Sequence, residues 1–240
     1  MSNEFYAPGT QRAAKVGDLF ARIARRYDLL NDLQSFGLHR RWKRRAVDLA
    51  AVTPGMRALD VCCGTGDLAL ALAGRGADVT GLDFSAEMLA VANERNTGPK
   101  PVAFLRGDAQ QLPFADSSFE AVTVGYGLRN LADWRAGLAE LSRVLRPGGR
   151  LVILDFGKPD LAPWRWIYFA YLRLCVPVMG LLFCGNAAAY AYILESLKHY
   201  PAQHGVAARM SELGLTEVRI VNFLGGAMTI NFARKPNAES

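Results

Sequence analysis

Cysteine is scarce and poorly placed for a framework. The 240-residue chain holds four, Cys62, Cys63, Cys175 and Cys184, and none falls in a Cys-x-x-Cys pair. Neither a disulfide scaffold nor a zinc site is expected, and no metal is invoked. Charge is thin as well, at 21% of residues against 51% hydrophobic. That balance excludes disorder for the bulk and suits one domain with a sizeable core. Residues 1–10 read as a loose polar arm without a signal-peptide pattern, which makes a reducing cytoplasm the expected compartment. An uninterrupted membrane span is missing too. Such a span needs about 20 apolar residues, and the most apolar stretch, residues 164–184, is broken by Arg173 and Pro177. It reads as a buried or lid-like pair of helices. The other readings are a surface that meets lipid, a greasy ligand or a second copy of the chain, making a homo-oligomer.

Positive charge is in excess, at net +6, and it is bunched: Arg40, Arg41, Lys43, Arg44 and Arg45 lie within six positions. No nucleic-acid-binding module accompanies the cluster. It reads as a solvated helix face, or as a patch drawn to anionic lipid at about 1 kcal/mol per charge.

Residues 58–69, A-L-D-V-C-C-G-T-G-D-L-A, organise the rest. A short apolar run ends at Asp60, a turn carries Gly64, Thr65 and Gly66, and a helix-forming run follows. Strand, glycine turn and helix N-terminus together let a backbone approach a ligand closely. Asp83 closes the next apolar run, where a carboxylate can accept from two ribose hydroxyls. Gly64-x-Gly66-x-x-Ala69 also satisfies a dinucleotide fingerprint, so this stretch leaves NAD and S-adenosylmethionine (SAM) both open.

Taken in order, a helix is expected from Gln11, with Val16, Leu19, Phe20, Ile23 and Tyr27 at helical spacing. A broken segment over 28–37 follows, then a helix over about 38–51 with Trp42, Val47 and Leu49 inward. Strands are expected at 57–61, 78–82, 102–105, 121–124 and 151–156, with helices at about 67–75, 86–95 and 132–145. That alternation implies a parallel sheet with helices on both faces. Asp60 to Gly66, Asp83, Asp108 and residues 125–130 would then converge on one rim, at the carboxyl ends of the strands. Helices at 186–200 and 202–213 precede strands at 217–223 and 227–233, which are joined tightly enough to be antiparallel. The expected fold is therefore α/β, a Rossmann-like, doubly wound, mainly parallel seven-stranded sheet with an antiparallel C-terminal hairpin. Residues 1–52 form an N-terminal helical segment. Residues 53–240 form the α/β domain, with a helical insertion at about 160–213.

The hairpin resembles that of class I SAM-dependent methyltransferases. So do Gly107-Asp108-Ala109, with Leu112-Pro113-Phe114, and the turn Leu145-Arg146-Pro147-Gly148-Gly149. Narrower still, F-A-R-I-A-R-R-Y-D-L-L-N from Phe20, S-F-G-L-H-R-R-W-K from Ser35, Tyr126-Gly127-Leu128-Arg129-Asn130, Leu154-Asp155-Phe156-Gly157-Lys158-Pro159, Tyr190–Ser196 and Asn222–Ala227 resemble the ubiquinone/menaquinone biosynthesis C-methyltransferases. The likeness spans about residues 20–232. It departs at Cys62, where many methyltransferases carry glycine, and at Gly125, where the family has a cofactor-contacting serine. The resemblance implies SAM as cofactor, held at Thr65, Asp83, Asp108 and Ala109. Asp60, Gly64 and Gly66 complete the candidate cofactor positions.

The implied reaction adds a methyl group to a ring carbon of a prenylated quinol, demethylmenaquinol to menaquinol. A ubiquinone precursor, another small molecule, or a non-catalytic SAM-binding role in a quinone-synthesis complex are the alternatives. A dehydrogenase is a further one. A substrate that lives in a bilayer suits peripheral contact with the inner face of the membrane. A phenolic proton has a pKa of about 10, so the site must ease its removal. Arg129 is the candidate for stabilising the quinolate, and Tyr126 for orienting the ring or relaying the proton. The base is left open between Asp155, His199 and an ordered water. The bland readings are Arg129 as a surface salt-bridge partner, Tyr126 as core, and His39 and His199 as exposed helix residues.

Overall fold

The structure is a computed structural model and describes residues 11–24, 27–184 and 187–237; the arm read at residues 1–10 lies outside them. Seven strands form one sheet in the order β3-β2-β1-β4-β5-β7-β6. They are β1 (Arg57–Val61), β2 (Asp78–Asp83), β3 (Ala103–Arg106), β4 (Phe119–Gly125), β5 (Leu145–Phe156), β6 (Thr216–Phe223) and β7 (Met228–Arg234). The first five pair in parallel, and β7 runs antiparallel to both β5 and β6. This is the Rossmann-like, mainly parallel arrangement expected from the alternation. Strand order reverses between β1 and β4, where open sheets of this kind leave a crevice.

The four central strands β1, β4, β5 and β7 are buried along most of their length, the first half of β5 excepted, because helices cover both faces. One core cluster gathers Leu59, Val61, Val122 and Ile153; the other gathers Ala58, Leu72, Ala121 and Val152. Successive residues of a strand thus feed opposite layers. The helices α4 (Asp67–Ala73), α5 (Ala86–Arg95) and α6 (Trp134–Val144) lie between the parallel strands in sequence. Asp133 caps α6, accepting from the backbone N–H of Arg135 and Ala136.

Three regions differ from the sequence reading. Residues read as broken form a helix, α2 (Tyr27–Ser35), between α1 (Gln11–Ile23) and α3 (His39–Ala50). Its Asn31 and Asp32 are weak helix formers, but Asp32 is held from α3 by His39 and Arg40, and Tyr171 donates to the Gln34 carbonyl. The stretch read as a helix pair is one helix, α7 (Ala162–Cys184), which runs through Pro177. Proline removes one backbone hydrogen bond, yet the helix, which packs against the neighbouring α8 (Ala187–His199), stays continuous. Last, β5 starts at Leu145, and its register on β4 jumps from Phe119↔Leu145 to Ala121↔Arg150. The Pro147-Gly148-Gly149 turn is therefore a bulge within the strand. Helix α9 (Ala202–Glu212) leads into β6.

Candidate active site

The first cavity opens at the carboxyl ends of β1, β2 and β4. Gly64, Asp83, Asp108, Ala109, Tyr126 and Asn130 all border it, with Phe20 from α1 and Met88 from α5. Asp83 accepts from the backbone N–H of Gly64 at 2.8 Å and of Ser85 at 2.9 Å. Each of its oxygens keeps a second acceptor site. Burial raises this carboxyl above its ordinary pKa, opposed by those backbone donors. Gly64 has φ +54°, and a Cβ built there would meet nothing within 4 Å. The backbone is therefore open to a close ligand. On the far wall Asp108 is held by Gln110, whose backbone N–H donates at 2.8 Å.

A small side cavity adjoins it, bordered by Lys43, Asp60, Cys62, Thr65 and Tyr126. Asp60 accepts from the Thr123 hydroxyl at 2.7 Å and from the Ala69 N–H at 3.1 Å. Burial nevertheless pushes its carboxyl up to about 7. Lys43, read as part of a solvated basic face, turns inward: its Nζ pairs with Asp67 and lies 5.8 Å from the centre of the Tyr126 ring.

The third cavity, about 320 Å³, lies between the N-terminal helices, α7 and the β6–β7 turn. That volume suits a drug-sized organic ligand. Trp42, Phe156, Trp164, Tyr168 and Leu172 give it apolar walls, and Tyr126 borders it as well. Tyr126 is thus common to all three. It is a non-glycine residue at φ +62°, a strained conformation of the kind that clusters at functional sites.

Residues 9–235 match the ubiE/COQ5 methyltransferase family. The chain belongs to that family. It is 44% identical over 234 residues to the demethylmenaquinone methyltransferase of Desulfitobacterium hafniense (strain Y51), covering 95% of this chain and 92% of that one. Identity to the enzyme of the same name from Staphylococcus aureus (strain JH9) is 38% over 230 residues, covering 94% and 95%. Among solved structures, a SAM-dependent methyltransferase of Thermotoga maritima, a possible histamine N-methyltransferase, superposes with a TM-score of 0.64 at 19% identity, covering 91% of this chain and 99% of that one. That last likeness concerns the fold. The protein is an enzyme, a methyltransferase, and its methyl donor is SAM.

The cavities of this ubiE/COQ5 enzyme fit that donor: an acceptor carboxylate with spare sites, an open glycine backbone and an apolar wall stand together on one rim. Two departures from the family pattern have a structural account. Cys62 sits at φ +55°, a conformation glycine favours, and a Cβ on Gly127 would come within 2.3 Å of the Cys62 Cβ. The cysteine is accommodated because residue 127 is glycine. A Cβ at Gly125 would approach Leu68 Cδ1 to 2.9 Å, so the family's serine has no room here unless Leu68 moves.

Two expected site residues stand elsewhere. Gly66 borders none of the three cavities; it opens α4 at φ +85°, and a Cβ there would meet Phe104 at 2.9 Å. Its place is close helix–sheet packing. Arg129 is not among the described residues that line the cavities, and it is not a surface group either, being 5% exposed. Its Nε pairs with Asp155 Oδ1 at 3.3 Å, its Nη1 donates to Asn130 Oδ1, and its guanidinium lies 4.9 Å from the centre of the Phe156 ring. It braces Asn130 at the first cavity and Phe156 at the third. Asp155 is buried beside it, and His199 is exposed on α8. Neither borders the cavities.

The sequence reading missed His39, which is 3% exposed and borders the apolar cavity beside Trp42. The signal was available: His39, Trp42, Lys43 and Ala46 recur at helical spacing on the inward face of α3.

Proposed function

We propose that this chain transfers the methyl group of SAM to a ring carbon of demethylmenaquinol, a prenylated naphthoquinol, at a membrane surface. The observation that carries the reading is the double position of Tyr126, one residue bordering both the polar rim and the apolar, aromatic-walled cavity. Two reactants bound there would meet across a single side chain, and alignment of that kind supplies much of a bimolecular rate enhancement. The names of relatives 38–44% identical over nearly the whole chain support the same substrate class.

Asp83 would take the ribose hydroxyls, Asp108 the adenine amino group, and Asp60 and Thr65 would face the amino-acid end, with Gly64 and Ala109 as close backbone. The bound sulfonium supplies an electrophilic methyl group. Tyr126 orients the ring, and the Arg129–Asp155 pair holds the wall behind it.

The membrane contact rests on an apolar face. On α7, Trp166 is 74% exposed, and Leu174, Val178 and Leu181 are exposed with it. Phe36, at 82%, with Ile167 and Leu224, surrounds the third cavity. Arg40, Arg41, Arg44 and Arg45 stay outward on α3. Among the described residues no helix is long and apolar enough to cross a membrane, so contact would be peripheral, at the inner leaflet. Trp166→Glu should weaken sedimentation with vesicles of mixed neutral and anionic phospholipid. Unchanged sedimentation would remove α7 from the contact.

The decisive assay offers prenylated naphthoquinols and benzoquinols with SAM under reducing conditions. Transfer to the naphthoquinol with the higher kcat/KM is expected. Transfer to neither would refute the proposal.

Asp60 gives a pH signature. Free, its carboxyl titrates at about 7; beside the ammonium group of SAM it would be held ionised. Binding then expels a proton, so affinity rises with pH. The Kd should be about tenfold weaker at pH 6 than at pH 8. Calorimetry in buffers of different ionisation enthalpy counts the proton, and Asp60→Asn should flatten the dependence.

A further inference from the structure

We propose that His39 is the general base that takes the quinol hydroxyl proton, with Asp32 fixing its tautomer. The inference deepens the function proposed above and rests on it.

His39 borders the apolar cavity from the start of α3. Its Nε2 lies 2.8 Å from Asp32 Oδ1. Asp32 also accepts from Arg40 Nε at 2.9 Å and Nη2 at 2.6 Å, and that pairing holds its carboxyl below the ordinary carboxylate range. An ionised carboxylate only accepts, so the imidazole proton sits on Nε2 and Nδ1 carries a bare lone pair. That Nδ1 is buried without a hydrogen-bond partner. So is Nδ2 of Asn31, a donor bordering the same cavity. Two unmet polar atoms, one acceptor and one donor, on walls that are otherwise mostly apolar and aromatic call for a ligand with a flat apolar body and two oxygens. A 1,4-quinol has that form.

Two of the phenols on these walls are engaged. Tyr168 donates to the Ala227 carbonyl and Tyr171 to the Gln34 carbonyl, each at 3.1 Å, and burial raises the pKa of both phenols. The charged groups around His39 are Asp32 on α2, Lys43 on its own helix and Asp67 on α4. Burial outweighs the two carboxylates and lowers the imidazole pKa below 6.5. His39 is therefore neutral, and able to accept, at neutral pH.

In the step assigned to it, the quinol O–H bond breaks and the proton moves to Nδ1, leaving an imidazolium stabilised by Asp32. The electron pair stays on oxygen and delocalises onto the neighbouring ring carbon, which then takes the methyl group as the C–S bond gives its pair to sulfur. That carbon next loses its own hydrogen to water as a proton. The oxygen recovers its proton from His39, so one methyl is gained and one proton released.

The test uses the full-length enzyme. His39→Gln and His39→Ala should lower kcat on the prenylated naphthoquinol by at least about a hundredfold, leave the Kd for SAM within twofold, and remove the acidic limb of the kcat–pH profile. Imidazole should restore part of the His39→Ala rate. Asp32→Asn should lower kcat and move the acidic limb while leaving KM nearly unchanged. His39→Gln retaining more than a third of wild-type kcat, or the acidic limb persisting in it, would overturn the assignment. A readout without turnover separates this from the function itself. With only three histidines in the chain, the His39 Nδ1 ¹⁵N resonance can be followed as 1,4-dihydroxynaphthalene is added. It should move from a bare to a hydrogen-bonded shift; no movement at saturating ligand would overturn the assignment. Wild-type inactivity on every quinol, with that shift present, would instead count against the proposed substrate alone.

Discussion

Asp83→Ala should weaken SAM binding by about 10²- to 10⁴-fold. The carboxylate can accept from two ribose hydroxyls, and a hydrogen bond to a charged group contributes about 1.5–3 kcal/mol. Two of them amount to about 3–6 kcal/mol, and every 1.4 kcal/mol is about tenfold in affinity. The same carboxylate receives the N–H groups of Gly64 and Ser85. Its removal therefore also loosens the glycine turn that shapes the cavity. Calorimetry measures the loss directly, and Asp108→Ala is the internal comparison. Asp108 would offer one contact to the adenine amino group, so a loss nearer tenfold is expected there. A Kd for Asp83→Ala within threefold of wild type would dismiss the ribose assignment.

The second large effect is on the fold. Breaking the Arg129–Asp155 pair from one side should destabilise the enzyme by about 3–5 kcal/mol. Both side chains are buried, and Asp155 also accepts from the backbone N–H of Arg129 and Phe156. Asp155→Ala leaves a guanidinium in the interior without its counter-charge; Arg129→Met leaves a carboxyl in the same position. At about 2–4 °C per kcal/mol for a chain this long, either variant should lose roughly 6–20 °C in Tm. Combining Arg129→Met with Asp155→Leu should recover much of that stability, because two apolar groups do not strand a charge. Activity should stay low in the double variant, since Asn130 loses a donor and Phe156 its neighbouring guanidinium. Singles within 1 kcal/mol of wild type in denaturant unfolding would contradict the picture. Full activity in the double variant would show that the brace does not serve the site.

The two predictions concern residues that the sequence reading treated alike, as candidates on one rim. Asp83 ends the parallel strand β2 and Arg129 follows the parallel strand β4, and the strand pattern was enough to bring both chain segments to the carboxyl edge. It was not enough to say which way each side chain points. Asp83 faces the cavity; Arg129, in the short turn Leu128–Asn130, faces Asp155 across the end of β5. The short turn after β4 makes Arg129 a buried brace, while Asp83 at the end of β2 borders the cavity.

Local pattern alone determined a good deal here. The apolar runs placed six of the seven strands within two residues at each end and missed only the first six residues of β5; the glycine turn located the crevice, and the basic-aromatic start marked the family. These are short-range signals, because strand periodicity, turn chemistry and capping are written in neighbouring residues. Only the tertiary structure decided the rest. His39 is buried because α7 and the β6–β7 turn, more than a hundred residues further along, complete the walls of its cavity. Residues 27–35 are helical because α3 and Tyr171 hold them, and α7, which packs against α8, stays whole across Pro177. Burial and side-chain direction depend on contacts between segments distant in the chain, and such contacts exist only once the sheet has brought those segments together.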